Sequence, residues 1–433
     1  MLERSGDIPL HVQPIIPGWQ CKFDKDAIQL ILSQAYRIYY LDILVRDEVS
    51  DALSSFQLPL QLPICEHLSV YRGPRRADTV PFVAPVLQRI KSGKYSFEGV
   101  SPALSPSIRS LDVSLYNIPG SEHLGNILEH LRNMTLLEEI VIFNCQLSNH
   151  ERLYSLKPLL LTHLRALKIS LDTPNLEFLT RLSCPPGLHL DLSIACNQLN
   201  AEIFTDMLKH PLAVCGIGRK EGARVQGIEL CAAMIWLFSL RCWTHPPSEP
   251  FTMFPSKSDL PRLELSIDLE EALIVDVAPL CRAISRMFDL SALDTLVLRG
   301  TSLNSFLEDL KHEKFSPMHN VRKIVAWDWH WAVLETFLTH THTRPQTESN
   351  NALPEIAFPR LECLDLLSIS KPSQNNHKGP PFSSRIQRIL DFRKAHGSVI
   401  SKLHIHRSCL HYVPQEDCEK LVQLPGTTTI ILY

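Results

Sequence analysis

Apolar residues recur along this chain at one spacing, apolar-x-x-apolar-x-apolar. The pattern occupies Ile38, Leu41 and Ile43; Cys65, Leu68 and Val70; Ile108, Leu111 and Val113; Leu137, Ile140 and Ile142; and Leu164, Leu167 and Ile169. Farther on it occupies Val225, Ile228 and Leu230; Leu293, Leu296 and Leu298; Val321, Ile324 and Ala326; Leu361, Leu364 and Leu366; and Ile400, Leu403 and Ile405. Shortened copies end on Leu190 and Leu192, Leu265 and Ile267, and Ile430 to Leu432. The last two apolar positions flank one other residue, the period-2 alternation of a strand. Helical periodicity fills several intervals, at residues 123–131, 201–208, 277–288, 382–392 and 417–424. The 13 copies lie about 32 residues apart on average, in steps of 23 to 43.

A strand and a helix repeated this often predict a solenoid or a doubly wound sheet. The shared register and length of the strand copies favour the solenoid, in which each unit buries its strand residues against its neighbours. The predicted fold is therefore α/β: an irregular solenoid with a parallel sheet on one face and helices on the other. It runs as one array over 1–433, with 1–24 as an N-terminal extension and a candidate break near 211–224. Polar, Pro-rich stretches at 244–261, 339–359 and 371–381 read as mobile surface loops at unit boundaries.

Charge and composition exclude several function classes. With 43 Lys+Arg against 46 Asp+Glu the net charge is −3, which offers no field for a phosphate backbone, so nucleic acid is not an expected partner. No window reaches the ~18 apolar residues of a membrane span, and Met1–Asp7 lacks the apolar core of a signal peptide. The expected location is intracellular, cytoplasmic or nuclear, with the 12 cysteines reduced. None forms a C-x-x-C pair.

The candidate chemistry is sparse. Gly216, Gly218 and Gly222 miss the dinucleotide-binding spacing by one residue, and no phosphate loop, nucleophile elbow or H-E-x-x-H occurs. His404 and His406 share a strand face, with Cys409 and His411 close in sequence, but they read as half-exposed face residues rather than zinc ligands. Asp42, Asp112, Asp191 and Asp365 occupy one strand position and are expected to form a solvated outward row. Trp327 follows the strand copy at Ile324, and Arg299 takes the equivalent place one copy earlier, so the two side chains are expected to be neighbours. Phe143, Leu367 and His406 take that place elsewhere. Arg and aromatic residues within a face are the usual anchors of protein contacts. The candidate partner-binding residues are Phe143, Arg299, Trp327, His404 and His406; no catalytic residue, metal or cofactor is expected.

The repeat resembles the leucine-rich-repeat superfamily. Its longer consensus extends through Ile140, Ile142, Cys145 and Leu147; Leu296, Leu298, Thr301 and Leu303; and Leu403, Ile405, Ser408 and Leu410. The usual Asn is missing from these copies, and the spacing exceeds the ~20–29 residues of standard repeats. The opening, Leu2-Glu3-Arg4-Ser5-Gly6 with Pro9-Leu10-His11-Val12, is similar to the segment that follows the F-box in mushroom-type fungal F-box/leucine-rich-repeat-like proteins. In that family the F-box docks the Skp adaptor of a ubiquitin ligase, and the repeat region recruits a substrate. Only Met1 to Asp24 precede the first helix-like run, so the F-box itself is expected to be absent and adaptor docking is assigned to no residue here. The resemblance implies a non-catalytic protein-recognition module whose partner is a protein, with a Skp-type adaptor engaged only through an upstream F-box. The alternatives are a stand-alone repeat scaffold and, less favoured, an enzyme on a doubly wound sheet.

Overall fold

The computed structural model describes residues 6–13, 25–73, 78–114, 122–143, 147–148, 157–196, 201–217, 224–234, 237–245, 261–269, 284, 287–299, 318–327, 331–339, 341–342, 355–368, 380–410, 413–423 and 429–432. The chain is mixed α/β and divides into two compact units, Met1–Ala195 and Cys196–Tyr433. Each unit carries a large, mostly parallel sheet with helices, and among the described residues the strand order is linear, without a closed barrel.

In the first unit the sheet holds β1 (Leu10–Val12), β2 (Ile38–Val45), β3 (His67–Arg72), β4 (Arg89–Gly93), β5 (Ser110–Ser114), β6 (Glu139–Phe143), β7 (Ala166–Asp172) and β8 (His189–Cys196), paired in that order. All the pairings are parallel. The register aligns Leu41, Leu68, Ile90, Leu111, Ile140, Leu167 and Leu190 in one row. All seven are buried. Alternation sends their neighbours to the other face, so β5 reads half-buried, buried, half-buried, buried, half-buried.

Several strands are entered through the same turn. The backbone N–H of Leu87, Ile108, Leu137 and Leu164 donates to the carbonyl three residues back, and Leu293, Val321 and Leu361 repeat the bond in the second unit. These are the first apolar residues of their copies and all are buried. Strand β4 escaped the sequence pattern because Ser92 stands where the third apolar residue belongs; Leu87 and Ile90 are buried in register with their neighbours. With β4 in place, the strands from β2 to β8 follow one another at 21 to 29 residues along the aligned row. Residues 10–12, read within the extension, form strand β1.

The second unit departs from a purely parallel sheet. It contains β9 (Gly227–Met234), β10 (Leu237–Trp243), β11 (Leu263–Leu269), β12 (Thr295–Arg299), β13 (Lys323–Trp327), β14 (Cys363–Leu366), β15 (Lys402–Ile405) and β16 (Thr429–Leu432). The order is β11-β10-β9-β12-β13-β14-β15-β16. Strand β10 runs antiparallel to β9 and β11. Only two residues separate β9 from β10, too few for the crossover a parallel pair needs, so they fold back on each other. Strand β16 was expected as a buried copy, yet Ile431 and Leu432 are exposed.

The helices supply further core residues. They include α1 (Lys25–Leu32), α2 (Asp47–Leu53), α3 (Phe97–Val100), α4 (Leu124–Leu131), α5 (Ala201–Cys215), α6 (Trp331–Leu338), α7 (Phe382–Ala395), α8 (Arg407–Leu410) and α9 (Gln415–Val422). Helix α5 runs seven residues beyond its expected end, through Pro211. The candidate break at 211–224 therefore begins inside a helix; residues 218–223 lie outside the described residues. So do most of 244–261 and 371–381, while in 339–359 Thr341–His342 pairs antiparallel with Glu355–Ile356.

Helix α7 carries the least expected buried group. Arg393 is fully enclosed. Its guanidinium donates to the carbonyls of Leu338 at 3.3 Å, Ala357 at 3.0 Å and Phe358, and to Ser398 Oγ at 2.7 Å. Burial pushes it down to about 10.

Two stability outcomes follow from these positions. Leu296→Ala and Leu403→Ala should each cost about 2–5 kcal/mol in denaturant unfolding, as enclosed strand leucines, while Asp112→Ala stays within about 1 kcal/mol. Arg393→Met should cost about 3–5 kcal/mol, because it leaves buried carbonyls without a donor; a change under 1 kcal/mol would refute that role.

Candidate functional site

The parallel register of β12 to β15 builds a lattice of side chains on one sheet face. Opposite positions are Glu229 and Val297, Val297 and Val325, Val325 and Asp365, and Asp365 and His404. Two residues toward the strand starts, Thr295, Lys323, Cys363 and Lys402 form the adjoining row. Two residues the other way, Cys231 faces Arg299, and Arg299 faces Trp327.

This face is not the open surface that the sequence suggested. Val297 and Val325 are buried, cluster with Leu367 and take Trp327 against them. Strands β12 and β13 are thus buried on both faces along their centres. A stretch such as Thr295-Leu296-Val297-Leu298 is the near-continuous apolar run that two-sided burial requires.

Arg299 and Trp327 are neighbours, with the guanidinium carbon 4.1 Å from the centre of the indole ring. Both are half-buried. Phe143, in the first unit, has Lys168 Nζ 5.1 Å from its ring centre. His406 follows the end of β15, and its Nδ1 lies 2.8 Å from Ser408 Oγ and accepts from the Ser408 N–H. Cys409 instead donates to the Leu366 carbonyl. Residue His411 lies outside the described residues.

One member of the aspartate row, Asp365, departs from its expected solvated state, while Asp42, Asp112 and Asp191 are partly exposed. Asp112 pairs with Lys91 at 3.3 Å and Asp191 pairs with Lys168, all at partly exposed positions. Burial pushes the Asp42 carboxyl up, against the pull of Lys91. Asp365 is fully enclosed. Its Oδ2 lies 3.0 Å from Lys323 Nζ, and its Oδ1 lies 2.8 Å from His404 Nδ1 and accepts from Cys363 Sγ at 3.2 Å. Such a carboxylate is stable away from water only with compensating charge and hydrogen bonds; Lys323 supplies the charge and the Cys363 thiol the hydrogen bond.

Cys363 and Lys323 were not among the candidate residues. Their signal was present in the aligned copies: placing Leu364 beside Leu403 puts Asp365 beside His404, and alternation brings Cys363 to the same face. Burial, then the Asp365 charge and hydrogen bond, hold the Cys363 thiol up at about 12. It therefore lacks the lowered pKa of an activated nucleophile. Farther along the face, Arg241 lies between Glu229 at 3.2 Å and Glu264 at 2.6 Å. Burial alone would push its guanidinium down, but the two glutamates raise it above the ordinary arginine value.

Among the described residues no helix is long and apolar enough to cross a membrane. Removing the enclosed carboxylate gives a direct test of its environment. Asp365→Ala should cost about 3–5 kcal/mol, since it strands the Lys323 charge. The same substitution at Asp191 should cost about 1 kcal/mol or less; equal losses in chemical denaturation would show that Asp365 is not electrostatically critical. No protein-family model matches this sequence, and no curated protein matches it.

Proposed function

We propose that this chain is a non-catalytic protein-recognition module, an irregular leucine-rich-repeat solenoid in which parts of the sheet face contact a partner protein. The observation that carries the reading is the half-buried Arg299 guanidinium stacked 4.1 Å over Trp327. Arg and Trp are the residue types most enriched among energetic anchors of protein interfaces. The stack pre-orders both side chains, which lowers the entropy lost on docking. The turn that recurs before several strands and the common strand register support the repeat reading. Phe143, His404 and His406 are the further contact candidates of this reading.

Recruitment of a substrate to an F-box-type ubiquitin ligase is the finer form of the proposal, and it rests on the resemblance of the opening segment and the repeat layout. A Skp-type adaptor should then bind a product of the locus extended upstream through an in-frame F-box. Adaptor binding by neither product would leave a stand-alone scaffold.

For a partner captured by the full chain and re-measured with purified components, Trp327→Ala and Arg299→Ala should each weaken binding by at least about tenfold, the scale of an anchor residue. Asp112→Ala should leave it unchanged. Wild-type affinity in both face variants, at an unaltered unfolding midpoint, would remove this surface from the reading.

A further inference from the structure

Strands β14 and β15 aim sulfur, oxygen and nitrogen at one small volume. Cys363 Sγ is 3.2 Å and His404 Nδ1 is 2.8 Å from the same oxygen, Asp365 Oδ1. The three donor atoms all lie within 4.8 Å of one another. Zinc stands about 2.0–2.3 Å from such ligands, so tetrahedral neighbours are about 3.3–3.8 Å apart. The two separations to Asp365 Oδ1 fall just short of those edges, so the side chains must open slightly to admit an ion. Asp365 Oδ2 is held separately by Lys323 Nζ at 3.0 Å. Lys323 can thus keep orienting the carboxylate while Oδ1 turns to a metal, the usual role of an outer-shell partner.

The other aspartates of this strand position set the contrast. Asp112 has Lys91 and Val141 as its register neighbours, and Asp191 has Lys168 on β7. An ion pair with a lysine is complete at those places. At Asp365 the register neighbour on β13 is Val325, a lysine reaches the carboxylate from the diagonal position, and a thiol and an imidazole are added on one oxygen. Cys363 and His404 are only half-buried as residues, although His404 Nδ1 itself is shielded from water. The flanking Val325 is fully buried, so the site has a dry wall on one side.

We propose that Cys363, Asp365 and His404 form a zinc-binding site with three protein ligands and a fourth position for water. Sulfur with nitrogen is a donor set that favours zinc over magnesium or calcium. Binding exchanges waters of the hydrated ion for the imidazole nitrogen, the carboxylate oxygen and the sulfur. The thiol proton passes to the buffer as the zinc–sulfur bond forms, and no electron is transferred. This inference stands apart from the recognition reading and survives its failure.

Cobalt(II) reports the site in the reduced full-length chain. Titration should raise a thiolate-to-cobalt charge-transfer band that saturates at one ion per chain and is bleached by zinc. Cys363→Ser should abolish the band, and His404→Gln should weaken binding at least about tenfold. His406→Gln and Cys418→Ser should leave it unchanged. A variant-free measurement accompanies these: in the wild-type chain, zinc should slow alkylation of Cys363, mapped by mass spectrometry, without slowing that of Cys418. The proposal is overturned by a wild-type chain that shows no band, by a band that survives Cys363→Ser, or by alkylation of Cys363 that zinc leaves unaltered.

Discussion

Arg393 is the constraint on which the geometry of the second unit depends most heavily. One side chain of α7 joins the end of α6, the turn before β14 and the turn before β15, through Leu338, Ala357, Phe358 and Ser398. Its described partners are carbonyls and a hydroxyl, so the charge is stabilised by oriented dipoles rather than by a carboxylate. Phe358 sits in the left-handed region at φ 54°, a conformation that costs a bulky residue roughly 1–3 kcal/mol and persists only when its surroundings determine it. The guanidinium supplies that determination at the Phe358 carbonyl. Strands β14 and β15 leave these turns carrying Cys363, Asp365 and His404, so their relative placement inherits the rigidity of the buried cation.

Cross-strand charge pairing recurs on the sheet faces of both units, with different consequences. Lys91 with Asp112 and Lys168 with Asp191 lie in partly exposed rows. Water screens them, and such pairs contribute about 0–1 kcal/mol. Asp365 meets Lys323 diagonally, two residues out of direct register, where the carboxylate is enclosed. There a slip of one residue in register would bury an unpaired charge and turn every side chain to the opposite face. The same interaction that is nearly neutral in the first unit therefore selects one strand register in the second.

Much of the fold was legible because one face of each strand must be apolar. The rows through Leu111, Ile140 and Leu167, and through Leu296, Ile324 and Leu364, lie where the spacing placed them. The losses have separate physical causes. Ser92 broke the apolar triplet of β4, although Leu87 and Ile90 alone hold that strand in the core. Strand β10 fits the spacing at Leu237, Leu240 and Cys242, but it begins only two residues after β9 and pairs antiparallel with it, where an array of parallel strand–helix units leaves no place for a strand. Arg393 falls on the stripe of Ile386 and Ile389, where helical periodicity calls for an apolar residue, and that violation was its signal. The Arg299–Trp327 contact was legible from aligned copies, whereas the enclosure of Asp365 was not, since burial of a face depends on what lies over it.

The covered apolar patch explains why the polar residues around it behave as they do. Val297 and Val325 occupy the row position that is polar or charged in most other copies, and Leu367 and Trp327 close against them. Apolar cover at that spot lowers the effective dielectric beside Asp365 and strengthens each of its contacts. It also separates two kinds of surface on one strand. Lys323 and Trp327 lie four residues apart on β13, roughly 13 Å at the usual strand rise. Val325 stands between them, so the stacked Arg299–Trp327 pair at one end is insulated from the ionic cluster at the other. The face thus divides into a half-open aromatic–cationic edge suited to contact and an enclosed donor cluster suited to holding charge. The row of valines that breaks the charge alternation creates both.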